Sequence, residues 1–257
     1  MATRTLKLPR AFTRDDGRER IAVPLWNGIL SALGSVATAF FVMFIAMVVL
    51  FVAAILITGR TPSTNPGHPV LAVAELIFYG AGGAFAWWRL RAMNVRPFRK
   101  LRTSDVRAIL TGIGVLMLVR IGTGLLLVLT DQTKHVQSGF EHFDVKSTVP
   151  AITTLSSVLA ISTMAIVAPI VEEAVFRGLL FGALASRLGI AASALITALL
   201  FGAVHGDPVL FPTIAALGLI TALAYAATAN LWVPIILHAL NNALGAIFLV
   251  MMSLKSP

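Results

Sequence analysis

The stretch APIVEEAVFRGLLFGAL (168–184) is apolar enough to cross a membrane, yet it carries Glu172, Glu173 and Arg177. A charged side chain at the centre of a membrane helix costs roughly 2.5–3.5 kcal/mol on insertion scales, so three of them facing lipid unpaired would cost on the order of 8 kcal/mol. The rest of the chain identifies the solvent. Of its 257 residues 58% are hydrophobic and 12% charged, whereas soluble domains are about half apolar and about a quarter charged. This is an integral membrane protein, and the three charges must be compensated inside it.

Apolar segments at 25–57, 70–90, 106–130, 151–182, 190–206, 209–228 and 232–252 compare with the about 20 residues that span a bilayer. The expected fold is all-α, a polytopic membrane helical bundle of about seven transmembrane helices. The formal charge of +9 invites a nucleic-acid reading, but its placement argues against one. Polar segments on the amino-terminal side of the membrane hold fourteen basic residues, and those on the opposite side hold four (Arg60, Lys134, Lys146 and Lys255). That is the positive-inside pattern, with the amino terminus in the cytoplasm and the surplus charge facing anionic headgroups. The chain has no cysteine, which excludes disulfides and Cys-ligated metals. Its first two dozen residues are polar and lack the short apolar core of a cleavable signal peptide. The organisation expected is a cytoplasmic segment over 1–24, accessory transmembrane helices over 25–148 and a catalytic core over 149–252, in the cell membrane of a bacterium.

His68, His135 and His142 lie in the polar segments 58–69 and 131–150 and read as plain surface residues. From Pro150 to Arg187 no convincing stop signal appears except Pro169, which would leave the carbonyl of Ala165 without its helical donor and kink the helix just before Glu172. Glu173 and Arg177 stand four apart, in the order that favours an ion pair, and taken alone they could be a structural clip. Glu172 points about 100° away and needs a partner of its own.

Later segments offer candidates. His205 ends the fifth apolar run, in FGAVH, and His238 lies in the seventh, in HALNN, with Asn242 one turn on and Asn241 beside it. An antiparallel hairpin turning near SRLG (186–189) would set Glu172 and His205 at one level. Singly, each histidine reads as a packed interhelical donor and Asn242 as interhelical glue; their convergence makes the case for a site. Glutamate with histidine can take a proton from water and pass it to a leaving amine. Histidine with asparagine can donate hydrogen bonds to a carbonyl oxygen as it becomes tetrahedral. The same groups allow a second reading, with Glu172, His205 and His238 as three zinc ligands and a fourth position open to water. HExxH, the usual zincin signature, is absent, and so is GxSxG.

EEAVFR, FGAVH and HALNN resemble the EExxxR, FxxxH and HxxxN motifs of the CPBP family (CaaX proteases and bacteriocin-processing enzymes), in the family's order and on successive hydrophobic segments. Its best-known members are the type II CaaX prenyl endopeptidases. The resemblance covers about residues 150–250. It implies an intramembrane endopeptidase in which Glu172 and His205 activate water and His238 and Asn242 stabilise the oxyanion. Glu173 and Arg177 would organise the site, with Glu173 sharing the acid–base work, and Phe201 would pack beneath the histidine. No cofactor is favoured, and zinc is the alternative. The expected partners are a membrane-associated peptide or protein substrate and the lipid bilayer, with no nucleic acid. Competing functions are a non-catalytic membrane scaffold or bacteriocin-immunity protein on the same fold, and a proton-coupled transporter. Outside the motifs, Arg120 is expected to pair with Glu75, and Asp207 to be a helix-end or loop residue.

Overall fold

A computed structural model of the chain describes residues 23–59, 69–132 and 155–255. His68, His135, His142 and all but two residues of the 1–24 segment lie outside them. Every regular element among the described residues is helical. Hydrocarbon demands this, because each backbone N–H and C=O must find its partner inside the segment.

Helix α1 (Leu25–Thr58) ends at Gly59, whose φ of +66° places it in the left-handed region while its N–H bonds Ile55 O, a common helix stop. Helix α2 is Pro69–Ala92 and α3 is Thr103–Leu129. Helix α4 runs over 155–188 and includes two widened π-turn stretches, Thr163–Val167 and Ala174–Phe181. Gly189, at φ +79° and ψ 171°, breaks the rod. Helix α5 (190–204) then returns antiparallel, so that Phe176 and Phe201 meet with ring centroids 5.0 Å apart. Twenty-five residues of straight helix would hold them nearly 40 Å apart. The turn and its register are those expected from SRLG. Helices α6 (Phe211–Thr228) and α7 (Trp232–Lys255) complete the bundle.

Among the described residues four apolar stretches are long enough to cross a membrane: Leu25–Ile57, Thr103–Leu129, Leu159–Val204 (folded at Gly189) and Phe211–Thr228; Trp232–Ile247 is a shorter apolar helix. Phe40, Phe41 and Phe44 on α1 and Leu118, Ile121 and Leu125 on α3 stay exposed, as lipid-facing side chains should. The interior belongs to α4. It lies between α1 and α2 on one side and α7 on another, while α5 packs on α6, and α3 on α6 and α7. Small residues permit the closest approach: a Cβ on Gly218 of α6 would come within 3.0 Å of the Ala198 backbone.

One end of the bundle is closed by a clasp. Asp105 is fully buried and accepts from Arg99 Nη1 at 2.7 Å, Arg99 Nη2 at 2.8 Å, the Arg102 N–H at 2.8 Å and Asn230 Nδ2 at 3.3 Å. Arg99 Nη2 also donates to Thr228 O at 2.7 Å. The α2–α3 connection is thereby tied to the α6–α7 connection. Arg99 keeps 12% side-chain exposure, so breaking the pair falls at the low end of the range for buried pairs. Asp105→Ala is expected to destabilise the protein by about 3 kcal/mol, measured by thermal unfolding in detergent.

Candidate active site

Pro169 shapes the entry to the site. Ala168 donates to Thr163 O, five residues back, across the first π-turn. In that register the donor for Met164 O would be Pro169, which has no N–H. The freed carbonyl is therefore Met164's, and it is taken by α7: Asn242 Nδ2 donates to Met164 O at 2.9 Å. The Ala165 kink expected from sequence is replaced by this widened turn, which ties α4 to α7.

The two glutamates diverge, as consecutive helical residues must. Glu173, fully buried, lies 3.0 Å from Arg177 Nε through Oε2 and 2.9 Å from His238 Nδ1 through Oε1. Arg177, also fully buried, donates through Nη2 to Gly218 O at 2.8 Å and to Thr221 Oγ1. Its guanidinium sits 4.9 Å from the Phe201 ring centre. A charge so enclosed is compensated by the Glu173 carboxylate, a carbonyl, a hydroxyl and an aromatic surface, while Nη1 has no hydrogen-bond partner among the described residues.

Glu172 looks the other way, and its partner is on α2. Tyr79 donates its hydroxyl to Glu172 Oε1 at 2.9 Å. Glu172 Oε2 is buried, has no hydrogen-bond donor among the described residues, and faces His238 Nε2 at 3.8 Å. That separation is too long for a direct hydrogen bond. His238 thus stands between the two carboxylates, with Glu173 holding Nδ1 and Nε2 turned toward Glu172.

His205 caps the end of α5 and is exposed. Its Nδ1 lies 2.6 Å from Phe201 O; a carbonyl only accepts, so Nδ1 carries the hydrogen and Nε2 of the neutral ring has the free lone pair. Phe201 packs against both imidazoles, 4.8 Å from His205 and 5.5 Å from His238 between ring centres. The structure brings Glu172, Glu173, Arg177 and His238 into direct contact and attaches Asn242 through Met164. His205 sits beyond Phe201, and among the described residues no hydrogen bond or ion pair joins it to Glu172. Asp207 lies in the turn before α6, its Oδ1 accepting from the N–H groups of Val209 at 2.8 Å and Leu210 at 3.0 Å.

The Arg120–Glu75 pair does not form. Arg120 donates from Nε to Asn241 Oδ1 at 3.0 Å and from Nη2 to Asn241 O at 2.6 Å. The reason is the order of the helices: α3 packs on α6 and α7, while α2, with Glu75, packs on α1 and α4.

As a zinc site the donors fit poorly. Glu172 and His238 converge, but among the described residues no group of three His, Asp, Glu or Cys side chains closes on one point, whereas zinc takes at least three protein ligands. His205, the third candidate, spends Nδ1 on Phe201 O.

Residues 154–244 match the family model described as type II CAAX prenyl endopeptidase Rce1-like. The chain is similar to "Putative membrane peptidase YdiL" of Bacillus subtilis (strain 168), 37% identical over 112 residues, which is 44% of this chain and 41% of YdiL. It is similar also to "Membrane-embedded CAAX protease MroQ" of Staphylococcus aureus (strain USA300), 34% identical over 91 residues, 33% of this chain and 37% of MroQ. The matches span less than half the length of either relative. No solved structure matches the chain significantly. Motif order, the contacts that the motif residues make and these likenesses point the same way: over residues 154–244 the chain resembles the type II CAAX prenyl endopeptidase Rce1-like family, and the likeness extends over less than half of its length.

Proposed function

We propose that the protein is an intramembrane endopeptidase that hydrolyses a peptide bond of a membrane-associated protein or peptide, with its amino terminus in the cytoplasm. One observation carries the reading. A buried carboxylate oxygen of Glu172 with no donor of its own faces His238 Nε2 at 3.8 Å, while Glu173 grips the other side of the same imidazole. A purely structural clip would need Glu173 and Arg177 alone.

The chain's residues divide the work as follows. Glu172 takes a proton from water, assisted by the free Nε2 of His205, and the water oxygen bonds to the carbonyl carbon. Glu173 on Nδ1 orients the His238 ring, as a carboxylate does in other catalytic pairs, and the protonated ring donates through Nε2–H to the new oxyanion. Asn242 supplies a second donor. The C–N bond then breaks, the proton taken from water goes to the departing amine, and the carbonyl re-forms as a carboxyl. Arg177 balances the charge of Glu173. No step is routed through a metal.

The test is cleavage of a membrane peptide by the purified full chain in proteoliposomes, with products identified by mass spectrometry. New termini from the wild-type protein, lost in His238→Ala and His205→Ala, are expected. Binding without turnover would favour a scaffold, and flux driven by a pH gradient a transporter; either would overturn the reading. The purified protein is expected to carry no stoichiometric zinc and to keep cleaving in the presence of chelator. About one equivalent of zinc, with activity lost on chelation, would defeat the metal-free form of the mechanism.

A further inference from the structure

Arg120 lies outside the three motifs, Asn241 fills a variable position of HxxxN, and the mechanism above uses neither. Together they form a chain of hydrogen bonds with a fixed direction. Arg120 is half-buried on α3 and gives two bonds to Asn241, through Nε to Oδ1 at 3.0 Å and through Nη2 to the backbone carbonyl at 2.6 Å. Asn241 Nδ2 donates to Asn242 Oδ1 at 3.2 Å, and Asn242 Nδ2 donates to Met164 O at 2.9 Å.

The ends of this chain decide its middle. A guanidinium has donors and no acceptor; a backbone carbonyl has lone pairs and no donor. Between them stand two carboxamides, each able to flip. Only one arrangement satisfies all the contacts: Asn241 turns its oxygen to Arg120, which leaves its amide for Asn242 Oδ1, which in turn leaves the amide of Asn242 for Met164. Reversing either group sets oxygen against oxygen or N–H against N–H.

We infer that Arg120, acting through Asn241, is a positioning element that holds the Asn242 carboxamide with its N–H groups toward the site. One N–H is anchored on Met164 O, and the other is the donor offered to the reacting carbonyl oxygen. The inference rests on the proposed endopeptidase reading. Neither Arg120 nor Asn241 touches the reacting atoms.

Asn241→Asp separates direction from mere cohesion. The aspartate keeps an oxygen on Arg120 and adds an ion pair, so a structural clip would survive or strengthen. It loses the donor to Asn242 Oδ1 and turns that carboxamide over. The expected result in the proteoliposome assay is a fall in kcat of at least about tenfold, a fraction of what losing a whole oxyanion donor costs. KM should stay within about threefold, with no loss of thermal stability. Arg120→Lys, still a donor-only group, should hold kcat within about threefold, while Arg120→Met should repeat the loss. Wild-type kcat in Asn241→Asp would overturn the inference, and so would a loss that tracks unfolding in both Asn241→Asp and Arg120→Met. Asn242→Ala tells the two failures apart. If it is inactive while Asn241→Asp is fully active, only the positioning role falls; if Asn242→Ala itself cleaves normally, the oxyanion role of Asn242 falls and the positioning role with it.

Discussion

Glu172→Gln is expected to lower the rate of peptide cleavage about a thousandfold without a measurable change in thermal stability, a loss of roughly 4 kcal/mol of transition-state stabilisation. The substitution keeps the volume of the side chain and leaves an amide oxygen to accept from the Tyr79 hydroxyl, the 2.9 Å bond that ties α2 to α4. What it removes is the proton acceptor, and with it the negative charge opposite His238 Nε2. Glutamine cannot take a proton from water, so the fold and the chemistry part company in this variant. Single-turnover cleavage of a fluorescent membrane peptide, beside a melting curve in the same detergent, reads both. A variant that keeps more than a tenth of the wild-type rate would remove Glu172 from the proposed role of base.

The second large effect falls on stability. Arg177→Met leaves Glu173 buried with only His238 beside it and takes the donor from Gly218 O and Thr221. Stranding one partner of a buried pair costs about 3–5 kcal/mol, a large share of the roughly 5–15 kcal/mol by which folded proteins are stable. The double variant Glu173→Leu with Arg177→Met is expected to regain most of that loss, since apolar side chains often replace an entire buried pair at little cost. It should stay inactive, because His238 Nδ1 no longer has its carboxylate. Melting temperatures for the two variants decide the matter. A single variant as stable as wild type would mean that Arg177 is not what neutralises Glu173.

Much of this centre could be read from residue order. The four-residue spacing of Glu173 and Arg177 is local, and a helix enforces it. The return at Gly189 follows from a glycine at the end of a polar SRLG, and its register places Phe176 on Phe201. Contacts set by the rotation of one helix against another were out of reach. Tyr79 sits in LIFYGAGG, where an aromatic side chain looks like any other apolar-face residue, and its partner is 93 positions away. The same blindness produced the Arg120–Glu75 expectation: both charges were placed at a plausible depth, but depth says nothing about which neighbour a helix faces. Glu75 lies one turn from Tyr79 on α2, which packs on α1 and α4. Met164 was hidden for another reason, since a backbone carbonyl becomes available only when the hydrogen-bond register slips.

That slip has a wider meaning. In an α-helix each residue advances the direction of its side chain by about 100°, and the wide turn over Thr163–Val167 accommodates one residue more than α-helical winding would. Everything beyond it is rotated relative to the half that precedes it. The azimuth at which both glutamates leave α4 is therefore written several residues upstream of them, in a short apolar segment with no chemistry of its own. Rewinding that turn as plain α-helix with the same number of residues would swing the acidic pair away from Tyr79 and His238, and trimming one amino acid at the same time would bring it back.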